Sequence, residues 1–505
     1  MGQLISKQEK ISPKLKSEMV FNEKYLQAEP ENGEGYLEET RGLKLLDIND
    51  EATNPISCDS LGQWESALLS EPKNKLAQNS LAKFDIANIV GCSDTKTKVR
   101  NQHFFNTEVK TIGAPSFNNN QKKSGRCWIF ATANVLRAHV IENYNLKDDK
   151  FQLSQSYLFF YDKLEKANIL LENILDTADE PLDSRLVQFL LHDPVGDGGQ
   201  WDMIVNIINK YGLVPYEFFP DNAQSTESSR LNYVVTEKLR EYALILRSLK
   251  SKKTADKDIN LVKNSMIREI YNILSLTIGT PPKPTDSFVW EFKDKDGNYK
   301  YFNTTPQKFY AEHVKFDVGN HFSLIHDPRN PYNKLYTVDR LNNVHGGKPI
   351  EYVNTEIATL KKVSIKMLKN NEPIFFGSDV AKFYDRDTGI LDVGAYDYAL
   401  ALGTSFKISK AERLKTGSSQ MTHAMVITGV HLDPITGNPV RWKIENSWGD
   451  LVGDKGYFLM TDKWFDEYVY QIVTNKNYVE KQIYEVWKGK DFTVLPFYDP
   501  MGSLA

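Results

Sequence analysis

The chain has 505 residues, of which 41% are hydrophobic and 25% are charged, and its formal net charge is −4. This is an ordinary globular composition, and the length favours several domains or one fold with large insertions. The slightly acidic total charge excludes a global attraction to nucleic acid or anionic membranes, so any such binding would need a local basic patch.

The three cysteines, Cys58, Cys92 and Cys127, do not form the even, dense set of a disulfide framework. Such sparse use of cysteine is typical of a reducing compartment. No run of about 18 apolar residues could span a bilayer, and the N-terminus lacks the apolar core of a secretory signal. We therefore predict a cytoplasmic protein without stable membrane insertion.

The first residues, MGQLIS, match the pattern in which Gly2 is myristoylated and Ser6 supports recognition. Several lysines follow within residues 7–16 and could act as a basic second signal. Short patterns also match by chance, so an unmodified N-terminus is the alternative. A weakly membrane-associated or mitochondrial pool beside the cytoplasmic one therefore stays open.

The first half of the chain divides into a polar segment and a helical one. Residues 1–65 include the acidic run EPENGEGYLEET and predict an N-terminal arm. Residues 66–221 predict a helical lobe, because CWIFATANVLRAHVIENY repeats apolar residues at three- and four-residue steps. The first turn of this helix is predicted to begin at Cys127.

Residues 222–365 differ in composition from the preceding segment and predict an inserted helical and hook region. Up to about residue 280 they have a helical pattern and are rich in Lys and Arg. The run VWEFKDKDGNYKYFN then predicts a β-hairpin that turns at Asp296–Gly297. A stretch with Pro328, Pro331 and Pro349 follows and predicts loops.

Residues 366–490 carry strand patterns and predict a β lobe. EPIFFGSDV reads as one strand, and THAMVITGVHL and NPVRWKIENSWGD alternate in period two around the turn DPITGN. The midpoint between His423 and Asn446 falls in that turn, so the hairpin predicts that these residues lie roughly opposite one another, close enough for a side-chain contact. A register slip or a bulge would change the pairing.

These residue types fit the needs of a thiol nucleophile. A helix N-terminus stabilises a thiolate at Cys127, and His423 can accept its proton. A neutral amide such as Asn446 can hold the imidazole in one tautomer, and the Gln121 side chain can donate to a developing oxyanion. The alternative is that Cys127 packs in a core and His423 is a satisfied buried histidine.

The combination of Q-x5-C-W at a helix start, an H-A strand and N-S-W-G in the next strand resembles the papain-like cysteine peptidases. The form QKKSGRCW, the GDGGQWDM turn, the long insertion and the ending DPMGSLA resemble their cytosolic aminopeptidase branch, the bleomycin hydrolase family. This resemblance covers nearly the whole chain. It implies an α+β papain-like two-lobed fold, with a helical lobe, an antiparallel β-barrel-like lobe and large helical or hook insertions.

The resemblance also implies roles for single residues. Cys127 would be the nucleophile, His423 the general base and acid, Asn446 the orienting residue and Gln121 the oxyanion donor. Trp448 would cover the contact between His423 and Asn446.

For the turn VGDGGQW the bland interpretation is a tight turn, and the resemblance suggests that it lines the pocket for the first side chains of the substrate. Substrate-binding residues would then include Trp128, Gly198 and Gly199.

The C-terminal arm, residues 491–505, is too apolar for a solvated tail. In the family, the chain end lies in the active-site cleft, where its carboxylate pairs with the α-amino group of the substrate. Ala505 would supply that carboxylate, with peptides bearing free N-termini as substrates.

The implied activity is that of a cysteine aminopeptidase, with bleomycin deamidation and homocysteine-thiolactone hydrolysis. The resemblance also implies assembly as a homohexamer with a central channel. The other histidines, such as His192, His321 and His326, show no metal-ligand spacing, so we expect no metal, and we expect no cofactor.

One departure from the secreted relatives concerns the sequence before the nucleophile. Those relatives carry C-G-[SA]-C-W, whereas here Ser124 replaces the disulfide cysteine and Arg126 the small residue. The loss of a disulfide agrees with a reducing compartment. We expect the positive charge of Arg126 to favour the thiolate.

A basic run, RSLKSKKTADKDINLVKNSMIR, suggests a second activity. A solvated helix-turn-helix face is its bland interpretation, and a single-stranded nucleic acid surface is the alternative. The candidate contacts are Lys250, Lys252, Lys253 and Lys257. The competing functional class is therefore a nucleic-acid-binding or regulatory protein on a peptidase scaffold.

Overall fold

The computed structural model describes residues 56–100, 102–110, 119–146 and 151–503. The chain divides into two units, Met1–Ala82 and Lys83–Ala505, whereas the sequence places this boundary at residue 65. In the first unit, the helices Cys58–Ser70 and Pro72–Leu81 bury none of their side chains. The predicted lipidation site, Gly2, lies outside the described residues.

The helices of the second unit fall largely in its first half. The α-helices are Ile86–Val90, Ser93–Arg100, Cys127–Tyr144, Gln155–Asp176, Arg185–His192, Trp201–Tyr211, Ala223–Thr226, Ser229–Ser251, Asp256–Thr277, Pro306–Lys308, Ile357–Lys369, Tyr398–Leu402, Lys410–Lys415, Asp462–Tyr468 and Lys481–Gly489. A π-helix spans Phe309–Val314, and 3-10 turns span Tyr216–Phe218, Val318–Asn320 and Pro500–Gly502.

The strands are numbered in chain order. They are β1 Thr107–Glu108, β2 Phe288–Lys293, β3 Tyr299–Thr304, β4 His321–Ile325, β5 Lys334–Val338, β6 Tyr352–Asn354, β7 Ile374–Ser378, β8 Tyr384–Asp385, β9 Ile390–Leu391, β10 His423–Leu432, β11 Pro439–Glu445, β12 Tyr457–Thr461, β13 Val469–Asn475 and β14 Phe492–Leu495.

One large mixed sheet organises the second unit. Its order is β14-β5-β6-β4-β13-β7-β10-β11-β12-β9-β8, and β1 also pairs with β10. Most pairs are antiparallel, but β4 with β6, β5 with β14 and β9 with β12 run parallel. The expected α+β class is thus a mixed helix and sheet fold, and its sheet is not wholly antiparallel.

The proline-containing stretch after residue 320 differs from its loop prediction. It contributes β4, β5 and β6, which join β13 and β14 in the large sheet. These strands are only three to five residues long, and prolines lie in the segments between them. Such short strands show too few alternating apolar and polar residues to be predicted from the sequence. The sheet therefore crosses the predicted boundary between residues 365 and 366.

The helix Cys127–Tyr144 is central to this unit. It begins at Cys127, as predicted, and 14 of its 18 residues are buried. Such an all-round apolar helix lies inside a fold rather than on its surface, and this one packs against β10. The first residue of the helix therefore lies near the first residues of β10.

Candidate active site

Cys127 lies where the central helix meets the sheet. Its side chain is 1% exposed, and its Sγ accepts a hydrogen bond from the backbone N–H of Ala424 at 3.4 Å. The preceding cap residue, Arg126, makes no side-chain cap, so no side chain covers the first N–H groups of the helix. The thiol thus lies at the positive end of the helix and beside the residue that follows His423.

His423 is the first residue of β10, and its backbone pairs with Ser378 of β7. Its Nε2 lies 2.9 Å from Oδ1 of Asn446, which directly follows β11. Nδ1 is therefore the ring nitrogen left to exchange a proton with a thiol.

The orientation of the Asn446 amide is fixed independently of the imidazole. The backbone N–H of Ser447 donates to the same Oδ1 at 2.8 Å, which identifies that atom as an acceptor. Nε2 of His423 must then carry the proton, and Nδ1 is unprotonated in the neutral ring. This is the tautomer that a general base facing Cys127 requires.

The predicted contact between His423 and Asn446 is present, and the register of the ladder lies within the predicted slip of a residue or two. Val426 pairs with Glu445, and register shifts follow Ile427 and His431. The two irregularities compensate, because the pair Val426–Glu445 and the pair Leu432–Pro439 have the same midpoint in the chain. Asn446 still reaches His423 because it lies beyond the last strand residue, where its side chain is not held in the ladder.

Trp448 lies against the imidazole. Its ring is 5.0 Å from that of His423 at an interplanar angle of 35°, and Phe458 packs against it edge-on at 5.6 Å. An aromatic ring in this position limits the access of water to the His423–Asn446 hydrogen bond.

Gln121 is held on both ends of its side-chain amide. Its Oε1 accepts from the Ser447 hydroxyl and its Nε2 donates to the Ser124 carbonyl, each at 2.6 Å. A Gln amino group has two N–H bonds, so one remains after the bond to Ser124. The residue is tied to the Asn446 loop through Ser447 and to the nucleophile turn through Ser124.

Arg126 does not act on the thiol in the predicted way. Its guanidinium is fully buried and forms two hydrogen bonds with Asp221, at 2.8 and 3.0 Å. Its Nε also donates to Ser124 Oγ at 2.9 Å. Because the charge is compensated by a carboxylate, Arg126 fixes the turn before Cys127 rather than supplying a free positive charge.

Burial acts on both members of the thiol–imidazole pair. It raises the pKa of Cys127 to about 12, against the opposing effect of the N–H groups of Ala424 and Trp128. It lowers the pKa of His423 to about 4, and the hydrogen bond to Asn446 acts in the opposite direction. Both shifts arise because removal from water penalises a single charged group.

The Gly198–Gly199 turn packs directly on Trp128. A Cβ at Gly199 would lie 2.4 Å from Cε2 of the Trp128 ring, and the indole Nε1 donates to the Asp197 carbonyl at 2.8 Å. Trp128 is 0% exposed, so its ring supports the turn from behind instead of presenting a surface to a ligand. Gly198 is half-buried, and its carbonyl accepts from Lys166 at 2.6 Å.

Asp197 joins this turn to the residues before the nucleophile. Its carboxylate accepts from the backbone N–H of Gly125 at 2.9 Å, from Lys163 at 2.6 Å and from Asn232 at 2.8 Å. Burial acts to raise the pKa of this carboxyl, but Lys163 and these donors hold it well below its usual range. The ionised Asp197 thus positions the turn at Cys127.

A second buried network lies behind Asn446. Asn119 Nδ2 donates to the Asn446 carbonyl at 3.0 Å, and Asn134 of the central helix donates to Asn119 Oδ1 at 3.0 Å. Arg137, one turn further along, forms an ion pair with Glu445 at 3.1 Å. These contacts connect the nucleophile helix to the strand end that carries Asn446.

The C-terminal arm packs onto the same unit. Met501 is fully buried, Asp499 pairs with Arg329 at 2.8 Å, and the Ser503 carbonyl accepts from Gln200 Nε2 at 2.7 Å. Gln200 directly follows Gly199, so the arm approaches the turn that supports Trp128. Leu504 and Ala505 lie outside the described residues.

The predicted basic residues lie around the turn between the helices Ser229–Ser251 and Asp256–Thr277. Lys250 forms an ion pair with Asp256 at 2.8 Å. The other three, Lys252, Lys253 and Lys257, are exposed. The structure therefore leaves three of the four predicted lysines open to solvent, and nothing brings them near Cys127.

The described residues form neither a metal site nor a membrane span. No group of three or more His, Cys, Asp or Glu side chains in the described ranges is arranged to hold a metal ion. Within the same part of the chain, no helix is both long and apolar enough to cross a membrane. All three cysteines are free thiols.

The structure adds residues that the sequence did not single out. Ser447 belongs to the ENSWG motif and Asp197 to the GDGGQW turn, so both were visible as neighbours of predicted residues. Asp221 and Asn119 lie outside any motif considered, and no local pattern marks them. Their roles follow only from contacts across long stretches of chain.

Comparisons with known proteins identify the family of the chain. The profile of the Peptidase C1-like family matches residues 55–502. Cysteine proteinase 1, mitochondrial, of Saccharomyces cerevisiae (strain JAY291) is 42% identical over 458 residues, which cover 90% of this chain and 94% of the relative. Bleomycin hydrolase of Mus musculus is 43% identical over 447 residues, which cover 87% and 96%.

A solved structure is similar over the same extent. The crystal structure of PepW from Lactobacillus rhamnosis HN001 has 43% sequence identity and a TM-score of 0.85, and the match covers 90% of this chain and 100% of that one. Together with a buried cysteine at a helix start beside a His–Asn pair, these similarities establish that the chain belongs to the Peptidase C1-like family, as a bleomycin hydrolase-like cysteine peptidase.

Proposed function

We propose that the protein is a cysteine aminopeptidase that releases N-terminal amino acids from peptides through a thioester at Cys127. Two contacts carry this proposal. The imidazole of His423 is hydrogen-bonded to Asn446, and the next residue, Ala424, contacts the Cys127 sulfur. This combination provides a nucleophile, a base and an orienting group in one buried site.

The first half of the reaction forms the thioester. His423 Nδ1 takes the thiol proton while Sγ attacks the carbonyl carbon of the first peptide bond. His423 then gives that proton to the departing nitrogen, and the carbon–nitrogen bond breaks. Proton transfer from thiol to imidazole creates an attracting pair of opposite charges, which offsets the burial penalty that each charge alone would meet.

The second half hydrolyses the thioester. His423 accepts a proton from water, the oxygen attacks the acyl carbon, and the carbon–sulfur bond breaks as the thiol recovers a proton. The oxyanion in both halves would accept from the backbone N–H of Cys127 and from the remaining N–H of Gln121. The bonds from Gln121 to Ser124 and Ser447 support this role by fixing the amide before substrate binds.

The exopeptidase specificity is assigned to the C-terminal arm. A carboxylate at Ala505 would pair with the free α-amino group of a substrate in a partly desolvated cleft. The bond between Gln200 and Ser503 supports this, because it holds the arm two residues before its end beside the Gly198–Gly199 turn. That turn would line the site for the first side chains.

The wider properties belong to the same proposal. They comprise a papain-like two-lobed arrangement with an inserted region at 222–365, action on bleomycin and homocysteine thiolactone, and assembly as a homohexamer.

The exposed apolar residues Leu61, Trp64 and Leu68, each at least 44% exposed, support self-association through the helix Cys58–Ser70. We propose a cytoplasmic location, which the three free thiols support, whereas the yeast relative is named mitochondrial.

The direct test combines labelling with turnover. A thiol-reactive peptidase inhibitor should label Cys127 stoichiometrically at neutral pH, faster than Cys58 and Cys92. Cys127→Ser should lose at least about 1,000-fold in hydrolysis of aminoacyl-aminocoumarin substrates while retaining its circular dichroism spectrum and native mass. Equal, slow labelling of all three cysteines, or retained turnover, would refute the mechanism.

A second candidate activity is single-stranded nucleic acid binding by Lys252, Lys253 and Lys257. The solvent exposure of Lys252 and Lys253 between the two helices, and of Lys257 in the first turn of the second helix, favours it. Acidic Asp256 and Asp258 lie on the same turn and reduce the local positive charge. Titration with single-stranded DNA at several salt concentrations tests it, because phosphate contacts require affinity to fall as salt rises. An absence of binding at low salt would exclude this activity.

A further inference from the structure

A groove of about 730 Å³ lies beside the candidate active site. Its lining includes Trp448, Tyr384, three cationic side chains and one carboxylate. The cations are Lys122, Lys123 and Arg386, and the carboxylate is Glu227. The groove therefore carries an excess of positive charge next to the ring that covers His423.

The single lining carboxylate is already compensated. Glu227 lies 3.6 Å from the ammonium of Lys123, and both side chains are more than half exposed. The exposed positive charge that the inference uses is that of Arg386. A groove of one sign attracts ligands of the opposite sign before contact is made.

Arg386 is placed to receive a carboxylate. Its guanidinium lies over the ring of Trp448, 5.6 Å from the centroid. The residue is exposed, and within the described part of the chain no carboxylate forms an ion pair with it. A guanidinium stacked on an aromatic face keeps its N–H edge free for two parallel hydrogen bonds to a carboxylate.

The position of Trp448 identifies which part of a substrate meets this groove. Its ring is 5.0 Å from that of His423, and His423 is the group that gives a proton to the departing nitrogen. The departing peptide therefore leaves from the His423 side, along the face of Trp448. The Gly198–Gly199 turn instead packs on Trp128, which follows the nucleophile.

We infer that this groove selects a carboxylate on the departing part of the peptide, with Arg386 as the specificity-determining residue. The carboxylate is either an Asp or Glu side chain just after the scissile bond or the free α-carboxylate of a di- or tripeptide. This inference rests on the proposed aminopeptidase function and adds a preference on the side opposite the released amino acid.

The experiment compares isosteric substrate pairs. One pair consists of peptides that differ only by Glu or Gln at the second position, with an amidated C-terminus. The other pair is a dipeptide with a free or an amidated C-terminus. In the wild-type protein, kcat/KM should be about fivefold higher for the charged member of at least one pair, and 0.5 M salt should reduce that ratio. The pair that responds identifies the source of the carboxylate.

Variants assign the preference to one residue. Arg386→Gln should bring the charged-to-neutral ratio to about one, and Arg386→Glu should invert it. Arg268→Gln removes an equally exposed arginine from the helix Asp256–Thr277, away from the groove, and should leave the ratio unchanged.

A wild-type ratio near one for both pairs, or a ratio that survives Arg386→Gln, would overturn the inference. Hydrolysis of an aminoacyl-aminocoumarin by the wild-type protein separates the two claims. That substrate has an uncharged departing group and reports the peptidase activity alone. If the wild-type protein hydrolyses this substrate and both ratios are near one, the carboxylate preference is rejected and the proposed peptidase function is kept. If the substrate is not hydrolysed, both the preference and the function are rejected.

Discussion

Nε2 of His423 donates a hydrogen bond of 2.9 Å to Oδ1 of Asn446, and this bond leaves Nδ1 as the basic nitrogen of the site. Because the amide holds the tautomer without adding a negative charge, its removal should impair the proton transfers more than substrate binding. We expect Asn446→Ala to lower kcat about 10- to 100-fold with a small change in KM.

The same variant should change the pH profile. The hydrogen bond that His423 donates to Asn446 acts to raise the pKa of the imidazole, so its loss should move the acid limb of kcat/KM to lower pH. Asn477→Ala, at an exposed position of the same unit, is the control and should leave kcat and the acid limb unchanged. An Asn446→Ala protein with wild-type kcat would contradict the orienting role.

The pH dependence of the wild-type protein follows from burial of the pair. Activity requires a single exchangeable proton shared between the Cys127 sulfur and His423 Nδ1, and it is lost when the pair binds a second one, which leaves a thiol beside an imidazolium. Burial lowers the pKa of His423 from 6.5 to about 4. The acid limb of kcat/KM for an aminoacyl-aminocoumarin should therefore lie below pH 6.5. A midpoint at or above 6.5 would show that the ring is not desolvated in the free enzyme.

Gly199→Ala tests the packing behind the nucleophile. The added methyl would lie 2.4 Å from the Trp128 ring, which is fully buried and held by its bond to Asp197. We expect a loss of about 1–3 kcal/mol in the free energy of unfolding, measured in urea, and reduced kcat because Trp128 adjoins Cys127. Gly489→Ala, with nothing within 4 Å of its Cβ, is the matched control and should be near neutral.

The protein should lose stability in mild acid through His321. Its Nδ1 lies 2.9 Å from the Asp317 carbonyl and its Nε2 accepts from Asn475 at 3.1 Å, an arrangement that suits the neutral ring. Burial lowers the pKa of His321 from 6.5 to about 4. The unfolded chain thus binds a proton between these pH values that the folded chain does not. Stability then falls as pH drops through this window.

The size of this effect is bounded by the two pKa values. Their difference corresponds to at most about 3 kcal/mol, and urea unfolding between pH 4.5 and 7 would measure it. His321→Gln should flatten the slope, whereas replacement of the exposed His345 by Gln should not. An unchanged slope in His321→Gln would assign the acid sensitivity to other groups.

Removal of Leu504 and Ala505 should weaken the preference for substrates with free N-termini. We expect the ratio of kcat/KM for free over N-acetylated substrates to fall at least about tenfold, because the proposed pair between the Ala505 carboxylate and the α-amino group of the substrate is lost. Gln200→Ala removes the 2.7 Å bond to Ser503 and should lower the same ratio by less. Gln188→Ala, at an exposed position, should not change it. An intact ratio after deletion would refute the proposed role of the chain end.

The local parts of this site could be predicted from the sequence. The helix that begins at Cys127 shows its apolar repeat within 18 residues, and the hairpin between His423 and Asn446 encloses a short polar turn. Both signals depend on neighbours in the chain, so periodicity is sufficient to find them. The hairpin at Asp296–Gly297 was confirmed for the same reason.

The remaining parts depend on partners far along the chain. Arg126 is 95 residues from Asp221, so no local pattern shows that its charge is compensated. The exact register of β10 and β11 depends on bulges whose positions follow from packing on both faces. The groove beside Trp448 likewise combines side chains from four separate segments.

The order of the site residues along the chain has a consequence for synthesis. Cys127 and its contact Ala424 are 297 residues apart, so a nascent chain exposes the thiol of Cys127 long before His423, Asn446 and Ser447 are synthesised. Even then, the central strands β10 and β7 must pair before His423 is placed. We therefore expect a ribosome-bound chain that has not yet reached Asn446 to carry the thiol without its imidazole and amide partners, and to have no peptidase activity.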